Sequence, residues 1–238
     1  MDPRNNPFAP GAGAPPPALV GRDNIIESAD IALHRIRDGR PEKSQMLLGL
    51  RGVGKTVLLN RIGQIARELG YLVVKLEAPE GQRLAAYLAP ALKGALMQLS
   101  RSEKAKDLAG QALGALRGFA SAFKVSIGEL EFGIGDFPVA DTGNLEIDLA
   151  ALLVSVGTAA RAGDASIAIL VDEIQYLTEE DLRALIVAFH MISQEGLPIV
   201  MFAAGLPQVA GLAGDAKSYA ERLFDYPPVG PLSSAAAG

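Results

Sequence analysis

The stretch Gly49-Leu50-Arg51-Gly52-Val53-Gly54-Lys55-Thr56 fits the phosphate-binding pattern G-x-x-x-x-G-K-[ST] without a mismatch. The apolar residues Met46-Leu47-Leu48 precede it and an amphipathic segment follows it, which is the strand–loop–helix context that the pattern requires. Glycines let such a loop curl until its backbone N–H groups point at phosphate oxygens, and the following helix adds a dipole that favours anions. The alternative is a glycine-rich turn before an ordinary helix, which both flanks disfavour.

The loop assigns roles to individual side chains. Lys55 is expected to reach the β- and γ-phosphates of a nucleotide, and the Thr56 hydroxyl is expected to ligate Mg²⁺. The predicted nucleotide-binding residues of this segment are Gly49, Arg51, Gly52, Val53, Gly54, Lys55, Thr56 and Val57.

A second motif is the apolar run Ile167–Val171, which ends in the carboxylates Asp172 and Glu173. Two acids at the end of a buried strand are costly unless a cation lies beside them. Sites of open α/β sheets lie at the carboxyl ends of the strands, so both motifs should converge there. We predict that Asp172 holds Mg²⁺ and that Glu173 polarises the attacking water. A helix-capping acid pair is the alternative, which the phosphate loop makes less favoured.

Strands and helices alternate along the chain, which predicts an α/β fold with a mostly parallel sheet covered on both faces. This is the three-layer sandwich of a P-loop NTPase. The predicted strands are 44–48, 71–76, 166–171 and 198–204, with an edge strand from Val229 and a hairpin of 125–127 with 130–134. The predicted helices are 23–38, 55–69, two within 83–122, 144–162, 179–195 and 215–224. The strand 71–76, between the two motifs, fits the additional-strand NTPases, in which a Glu beside the metal Asp activates water.

Composition divides the chain into an arm, a core and a tail. Residues 1–19 are rich in Pro, Gly and Ala and predict an extended arm, or a strap across the nucleotide pocket. Residues 20–232 form the predicted nucleotide-binding core, in which 83–140 is a helical and hairpin elaboration, and 233–238 is a predicted flexible tail.

Charge and composition exclude several classes of function. The net charge of −5 argues against a broad basic surface, so direct binding of nucleic acid is not expected. The chain has no cysteine, which excludes disulfides, thiol catalysis and a Cys-based zinc site, and fits a reducing cytoplasm. No apolar run reaches about 18 residues, so no membrane span is expected.

Together these motifs resemble those of an AAA+ ATPase, closest to the origin-initiator-like branch and to prokaryotic ATPases related to the STAND class. The segments that carry the resemblance are Leu19-Val20-Gly21-Arg22-Asp23, Gly49–Thr56, Asp172-Glu173-Ile174-Gln175 and Glu221-Arg222-Leu223-Phe224. The resemblance implies the strand order 5-1-4-3-2 and places Val20 and Gly21 beside the adenine. It also implies ATP as the nucleotide, and the sequence has no guanine-reading N-K-x-D motif.

The resemblance also implies a catalytic arginine that acts between subunits. In the family, an arginine before the fifth strand reaches the γ-phosphate of a neighbour, and Arg222 occupies that position. The partner is then a second copy of the chain or another protein that supplies or receives this arginine. The alternative is a solvated arginine at a helix end.

Two departures from the family pattern bear on activity. The strand 199–205 ends in Ala204 and Gly205, where the family usually has Asn, Ser or Thr. The helical lid and winged helix that normally follow are not in the sequence, so we expect a truncated or atypically short member.

Four functions remain open. The leading one is an Mg²⁺-dependent ATPase that couples hydrolysis to assembly or remodelling. The second is a nucleotide-binding switch that does not hydrolyse ATP, and the third is the core of a DNA replication initiator or loader. A small-molecule kinase fits poorly because no acceptor-site motif is evident.

Overall fold

The computed structural model describes residues 21–128, 140–216 and 220–231. Its centre is a five-stranded parallel sheet in the order β2-β3-β4-β1-β5, which is the predicted order read from the other edge. The predicted α/β class and sheet are thus confirmed. The strands are β1 Ser44–Leu48, β2 Leu72–Glu77, β3 Ile167–Asp172, β4 Ile199–Gly205 and β5 Phe224–Asp225.

The helices follow the predicted pattern closely up to residue 205. The elaboration after β2 contains two helices that separate between residues 99 and 106, close to the predicted break at Ser100–Glu103. The helices are α1 Asp23–Arg37, α2 Lys55–Glu68, α3 Leu84–Leu99, α4 Lys106–Ala122, α5 Leu145–Ala162, α6 Glu179–Gln194, α7 Val209–Ala216 and α8 Ala220–Leu223, with a 3₁₀ helix at Ile174–Tyr176.

Helices cover both faces of the sheet. Alternate residues of β3 and β4 enter two separate apolar clusters, because successive side chains of a strand point to opposite faces. Leu170 and Phe202 pack with α1 and α2, whereas Ile169 and Met201 pack with the helices of the other layer. Every residue of both strands is buried, which explains why these strands are continuous apolar runs.

The register places the two motifs at one edge of the sheet. β4 lies between β1 and β3, and it pairs Gly205 with Leu48 and Ala203 with Val171. The strand that separates the motifs in space is therefore β4, whereas β2, which separates them in sequence, lies at the sheet edge. Strands about 4.8 Å apart leave roughly 10 Å between the ends of β1 and β3.

The structure corrects the predictions for the last part of the chain. Residues 215–224 were predicted as one helix, but α7 already begins at Val209, and Phe224 belongs to β5 and not to α8. Residues 217–219, between α7 and α8, lie outside the described residues. The sequence of α7, VAGLAGDA, contains two glycines. Because glycine has a low helix propensity, the sequence did not predict a helix here.

The edge strand is Phe224–Asp225, and the segment at Val229 pairs with β1 only through a single bridge at Pro228. There the Leu48 N–H donates to the Pro227 carbonyl at 3.2 Å, and the Val229 N–H donates to the Leu48 carbonyl at 2.6 Å.

Other predictions fall partly outside the described residues. Residues 125–127, the first arm of the predicted hairpin, are not in a strand, and 130–134 lie outside the described residues. The predicted arm 1–19 and tail 233–238 also lie outside them. Within the described ranges, no helix combines the length and apolar character needed to cross a membrane.

Candidate active site

The phosphate loop joins the carboxyl end of β1 to the first turn of α2. Gly52 and Gly54 have φ values of +79° and +88°, in the left-handed region that favours glycine. Gly54 is the residue before α2, and its carbonyl accepts the Leu58 amide N–H at 3.0 Å. The free N–H groups at this helix start form a binding site for an anion.

Lys55 is held inside the loop. Its side chain is buried, and Nζ donates to the carbonyl oxygens of Gly49 at 3.0 Å and Leu50 at 2.8 Å. These bonds place the ammonium group against the loop whose N–H groups would hold phosphate. Val53, Thr56 and Val57 are half-buried around it, at the end of the loop and in the first turn of α2.

Gly49 is fixed by close packing. Its N–H donates to the Gly205 carbonyl at 3.1 Å, which ties the loop to the end of β4. A Cβ atom at Gly49 would lie 2.2 Å from the Val229 carbonyl oxygen and 3.0 Å from Cγ2 of Val53. The first glycine of the motif is thus required by its contact with the segment after β5.

The two acids lie at the end of β3. Asp172 is 5% exposed, and its Oδ1 accepts the backbone N–H of Glu173 at 2.9 Å. Glu173 has φ +53° and ψ +38°, which a residue with a side chain rarely adopts. Such strain persists only when the surroundings enforce it, and it is common at functional sites.

These residues fit an Mg²⁺ ion. The predicted ligands are the Asp172 carboxylate and the Thr56 hydroxyl, and Mg²⁺ prefers oxygen ligands of this kind. Within the described ranges no three acidic or histidine side chains form a metal-binding group. This donor set suits Mg²⁺, because Mg²⁺ commonly binds through one or two protein ligands, water and substrate phosphates.

The site also contains residues that the sequence analysis did not select. Nε2 of Gln175 donates to the Glu173 carboxylate, and its Oε1 accepts the Leu206 N–H at 3.2 Å. Nη2 of Arg51 donates to the Tyr176 hydroxyl at 3.0 Å. Their position in the sequence was the available signal, because Gln175 and Tyr176 lie two and three residues after Glu173.

Arg22 is a third residue that contacts the phosphate loop and that the sequence analysis did not select as a site residue. Its Nη2 donates to the Val53 carbonyl at 3.2 Å and also to the Gly230 carbonyl. It therefore joins the start of α1, the phosphate loop and the segment after β5. Gly21, predicted beside the adenine, is exposed with φ +75°, and Val20 lies outside the described residues.

Arg222 does not join these residues. It is exposed in α8 and lines a cavity of about 240 Å³ with Arg40, Phe189 and Ile199. That cavity also contacts Ser44, the first residue of β1. Arg222 therefore lies at the amino edge of the sheet, whereas Lys55 and Asp172 lie at the carboxyl edge.

Solved structures of other proteins align with 92% of this chain. Cdc6p from Pyrobaculum aerophilum aligns with a TM-score of 0.54 and 16% identity over 92% of this chain and 48% of that chain. The Aeropyrum pernix Orc1 protein, solved in complex with DNA, aligns with a TM-score of 0.49 and 14% identity over 92% and 47% of the two chains. The chain thus spans about half the length of each.

Sequence comparison gives the family. None of the curated proteins compared with the chain matches it significantly. The family model of the AAA ATPase domain matches residues 18–202, a range that includes the phosphate loop, the acid pair and β4 up to Phe202. The match covers most of the chain and agrees with the fold and the expected resemblance, so the chain belongs to the AAA ATPase domain family.

Proposed function

We propose that the chain binds ATP with Mg²⁺, hydrolyses the γ-phosphate and couples this reaction to assembly or remodelling. The observation that carries the proposal is the meeting of two motifs at one edge of the sheet. The phosphate loop leaves β1, and Asp172 and Glu173 end β3, with only β4 between them. A site that held nucleotide by its phosphates alone would not need a strained glutamate beside a buried aspartate.

Each residue has a role in the proposed reaction. The loop N–H groups and Lys55 bind the β- and γ-phosphates, and Thr56 and Asp172 hold Mg²⁺. When bound there, Mg²⁺ would supply positive charge that offsets the charge developing on the phosphate oxygens. Glu173 orients a water molecule in line with the γ-phosphorus. As the water oxygen bonds to phosphorus, the bond to the bridging oxygen breaks, ADP leaves, and the water's proton passes to Glu173 and then to solvent.

Separate mutations distinguish binding from hydrolysis. Lys55→Ala should abolish detectable ATP binding, because the loop loses its only ammonium group. Glu173→Gln should keep the affinity for ATP within about threefold and lower turnover by roughly 10²–10⁴, the usual contribution of a general base. Glu195→Gln, which changes an exposed residue at the end of α6, is the matched control. Equal loss of ATP binding in both site variants would contradict these roles.

The first experiment is Mg²⁺-dependent ATP turnover by the wild-type chain over a wide range of protein concentrations. Turnover that rises more steeply than linearly, and that Glu173→Gln removes, would support an ATPase that assembles. Flat turnover at the level of Glu173→Gln would contradict hydrolysis.

One observation favours a second function, a nucleotide-binding switch. β4 ends in Ala204 and Gly205 and provides no polar side chain toward the γ-phosphate. Nucleotide that remains bound through purification, together with turnover no higher than that of Glu173→Gln at every protein concentration, would identify the switch.

A further inference from the structure

The carboxamide of Gln175 links the two structural elements that flank the proposed reaction. Its Nε2 donates to Oε2 of Glu173, and its Oε1 accepts the N–H of Leu206, the first residue after β4. A carboxamide has a donor at one end and an acceptor at the other, so it satisfies both partners at once.

The end of β4 has no room for a side chain at Gly205. A Cβ atom at Gly205 would lie 2.6 Å from Cγ2 of Ile174 and 3.2 Å from Oε1 of Gln175. Ala204, the other residue at this strand end, faces the buried apolar cluster with α1 and α2. The 3₁₀ helix therefore fills the space at the end of β4, and it brings the Gln175 carboxamide there.

Glu173 needs such a support. Because the backbone of Glu173 is left-handed, its side chain points in a different direction from that of a residue continuing β3. The hydrogen bond to Asp172 Oδ1 holds only the backbone N–H of Glu173 and not its carboxylate. Among the described residues, the Gln175 amide is the side-chain group that donates to the Glu173 carboxylate. An unheld carboxylate would rotate, and a misplaced base aligns water poorly.

We propose that Gln175 is a positioning residue for Glu173 and stands in for the polar side chain absent from β4. Because Gln175 also accepts the Leu206 N–H, it couples the position of the Glu173 carboxylate to that of the end of β4. Since β4 also bonds to the phosphate loop through Gly205 and Gly49, this coupling extends to the nucleotide site. The inference rests on the proposed ATPase function.

Two substitutions separate positioning from a merely structural role. Gln175→Met keeps the length of the side chain and removes both hydrogen bonds. Gln175→Glu keeps an acceptor for the Leu206 N–H but places a second carboxylate against Glu173. We expect both variants to lower kcat by about 10- to 100-fold, a part of the general-base contribution, with KM for ATP within about threefold of wild type.

Amide hydrogen exchange supplies a readout other than activity. The Leu206 N–H should exchange at least about tenfold faster in Gln175→Met and near the wild-type rate in Gln175→Glu, because only the latter keeps the acceptor. Gln194→Met, at an exposed residue of α6, should leave kcat and exchange unchanged. A double variant of Gln175→Met with Glu173→Gln should turn over no more slowly than Glu173→Gln alone, because the positioned group is already disabled.

The outcomes distinguish this inference from the proposed function. Wild-type turnover together with an unchanged kcat in Gln175→Met, or losses that add in the double variant, would overturn the role of Gln175 alone. Wild-type kcat in Gln175→Glu would also overturn it, because a second carboxylate cannot donate to Glu173. Absence of Mg²⁺-dependent turnover in the wild type would overturn the proposed function and this inference together.

Discussion

The hydroxyl of Tyr176 lies 3.0 Å from Nη2 of Arg51 and thereby joins the 3₁₀ helix after β3 to the phosphate loop. The two residues are 125 positions apart in sequence. Arg51 is exposed and Tyr176 half-buried, so the bond crosses the open edge where the two motifs meet. The bond orients the Arg51 guanidinium before a triphosphate binds, which reduces the loss of side-chain conformational entropy on binding.

The first prediction concerns this bond. Arg51→Ala should weaken Mg–ATP binding about tenfold, and Tyr176→Phe should weaken it about two- to fivefold, which corresponds to the net value of one hydrogen bond. The measurement is equilibrium titration with a fluorescent ATP analogue. Arg117→Ala, at an exposed site on α4, is the charge-matched control. Since Tyr176 acts only through Arg51, the double variant should bind no more weakly than Arg51→Ala, and a further drop would contradict this coupling.

Much of this site was predictable because its main parts are local patterns. The phosphate loop is eight consecutive residues, and the acid pair is recognisable because it ends an apolar strand. The capping box of α6 is also a local pattern, because Thr178 and Asp181 lie three residues apart and each side chain accepts the other residue's backbone N–H. The strand order came from the family resemblance and not from the residues themselves.

The contacts between distant segments were not predictable. Periodicity reports which face of a helix or strand is buried, but not which side chain it meets across the sheet. Only the folded structure therefore reveals the contact of Gln175 with Leu206 and that of Arg22 with Gly230. The position of the edge strand β5 was predicted wrongly for a related reason. The strand has only two residues, which are too few to show the alternation of apolar and polar side chains that identifies a strand.

The second prediction tests the packing of Gly49. Gly49→Ala should lower the free energy of unfolding by about 1–3 kcal/mol, because its Cβ would meet the Val229 carbonyl oxygen at 2.2 Å. Urea unfolding measures the change. Gly94→Ala is the matched control, because Gly94 lies in the interior of α3 with no atom within 4 Å of an added Cβ. That control should gain about 0.5–1 kcal/mol from helix propensity, and a similar gain at Gly49 would contradict the close contact.

The third prediction concerns stability at high pH. Burial raises the pKa of Tyr71 to about 12, and its hydroxyl donates to the Leu33 carbonyl at 2.5 Å. A tyrosine in the unfolded chain ionises near pH 10, whereas the folded chain keeps this proton until about pH 12. The stabilisation is therefore complete below about pH 10 and is lost as the pH rises towards 12.

Tyr71→Phe isolates this contribution. At pH 8 the variant should be about 1 kcal/mol less stable than wild type, because it lacks the hydrogen bond. At pH 11 that deficit should disappear, since the wild type loses about 1 kcal/mol of Tyr71 stabilisation that the variant does not have. Urea unfolding of both proteins at the two pH values provides the test. Burial also raises the pKa of Tyr87 and Tyr226, but these residues are common to both proteins and cancel in the comparison. A constant deficit would show that Tyr71 does not titrate in this range.

The last prediction concerns Arg222, which lies at the wrong edge of the sheet to serve its own site. The five residues of β1, at about 3.3 Å each, separate the two edges by roughly 16 Å. If Arg222 contacts a γ-phosphate, that nucleotide belongs to a neighbouring subunit. Arg222→Ala should then lower kcat by at least about tenfold at high protein concentration and leave ATP binding unchanged, because an arginine supplied by a neighbour acts on the transition state. Arg40→Ala, which removes an exposed cation from the same cavity, is the control.

Complementation between inactive variants tests the same idea directly. Glu173→Gln keeps Arg222, and Arg222→Ala keeps Glu173, so a mixed assembly contains sites with an intact base facing an intact arginine. Mixing the two variants should restore a fraction of wild-type turnover that depends on their ratio and peaks at intermediate mixtures. Two copies that act independently would give only the sum of two low activities at every ratio. Unchanged kcat in Arg222→Ala would instead identify Arg222 as a solvated residue at the end of α8, and the intersubunit role would be wrong.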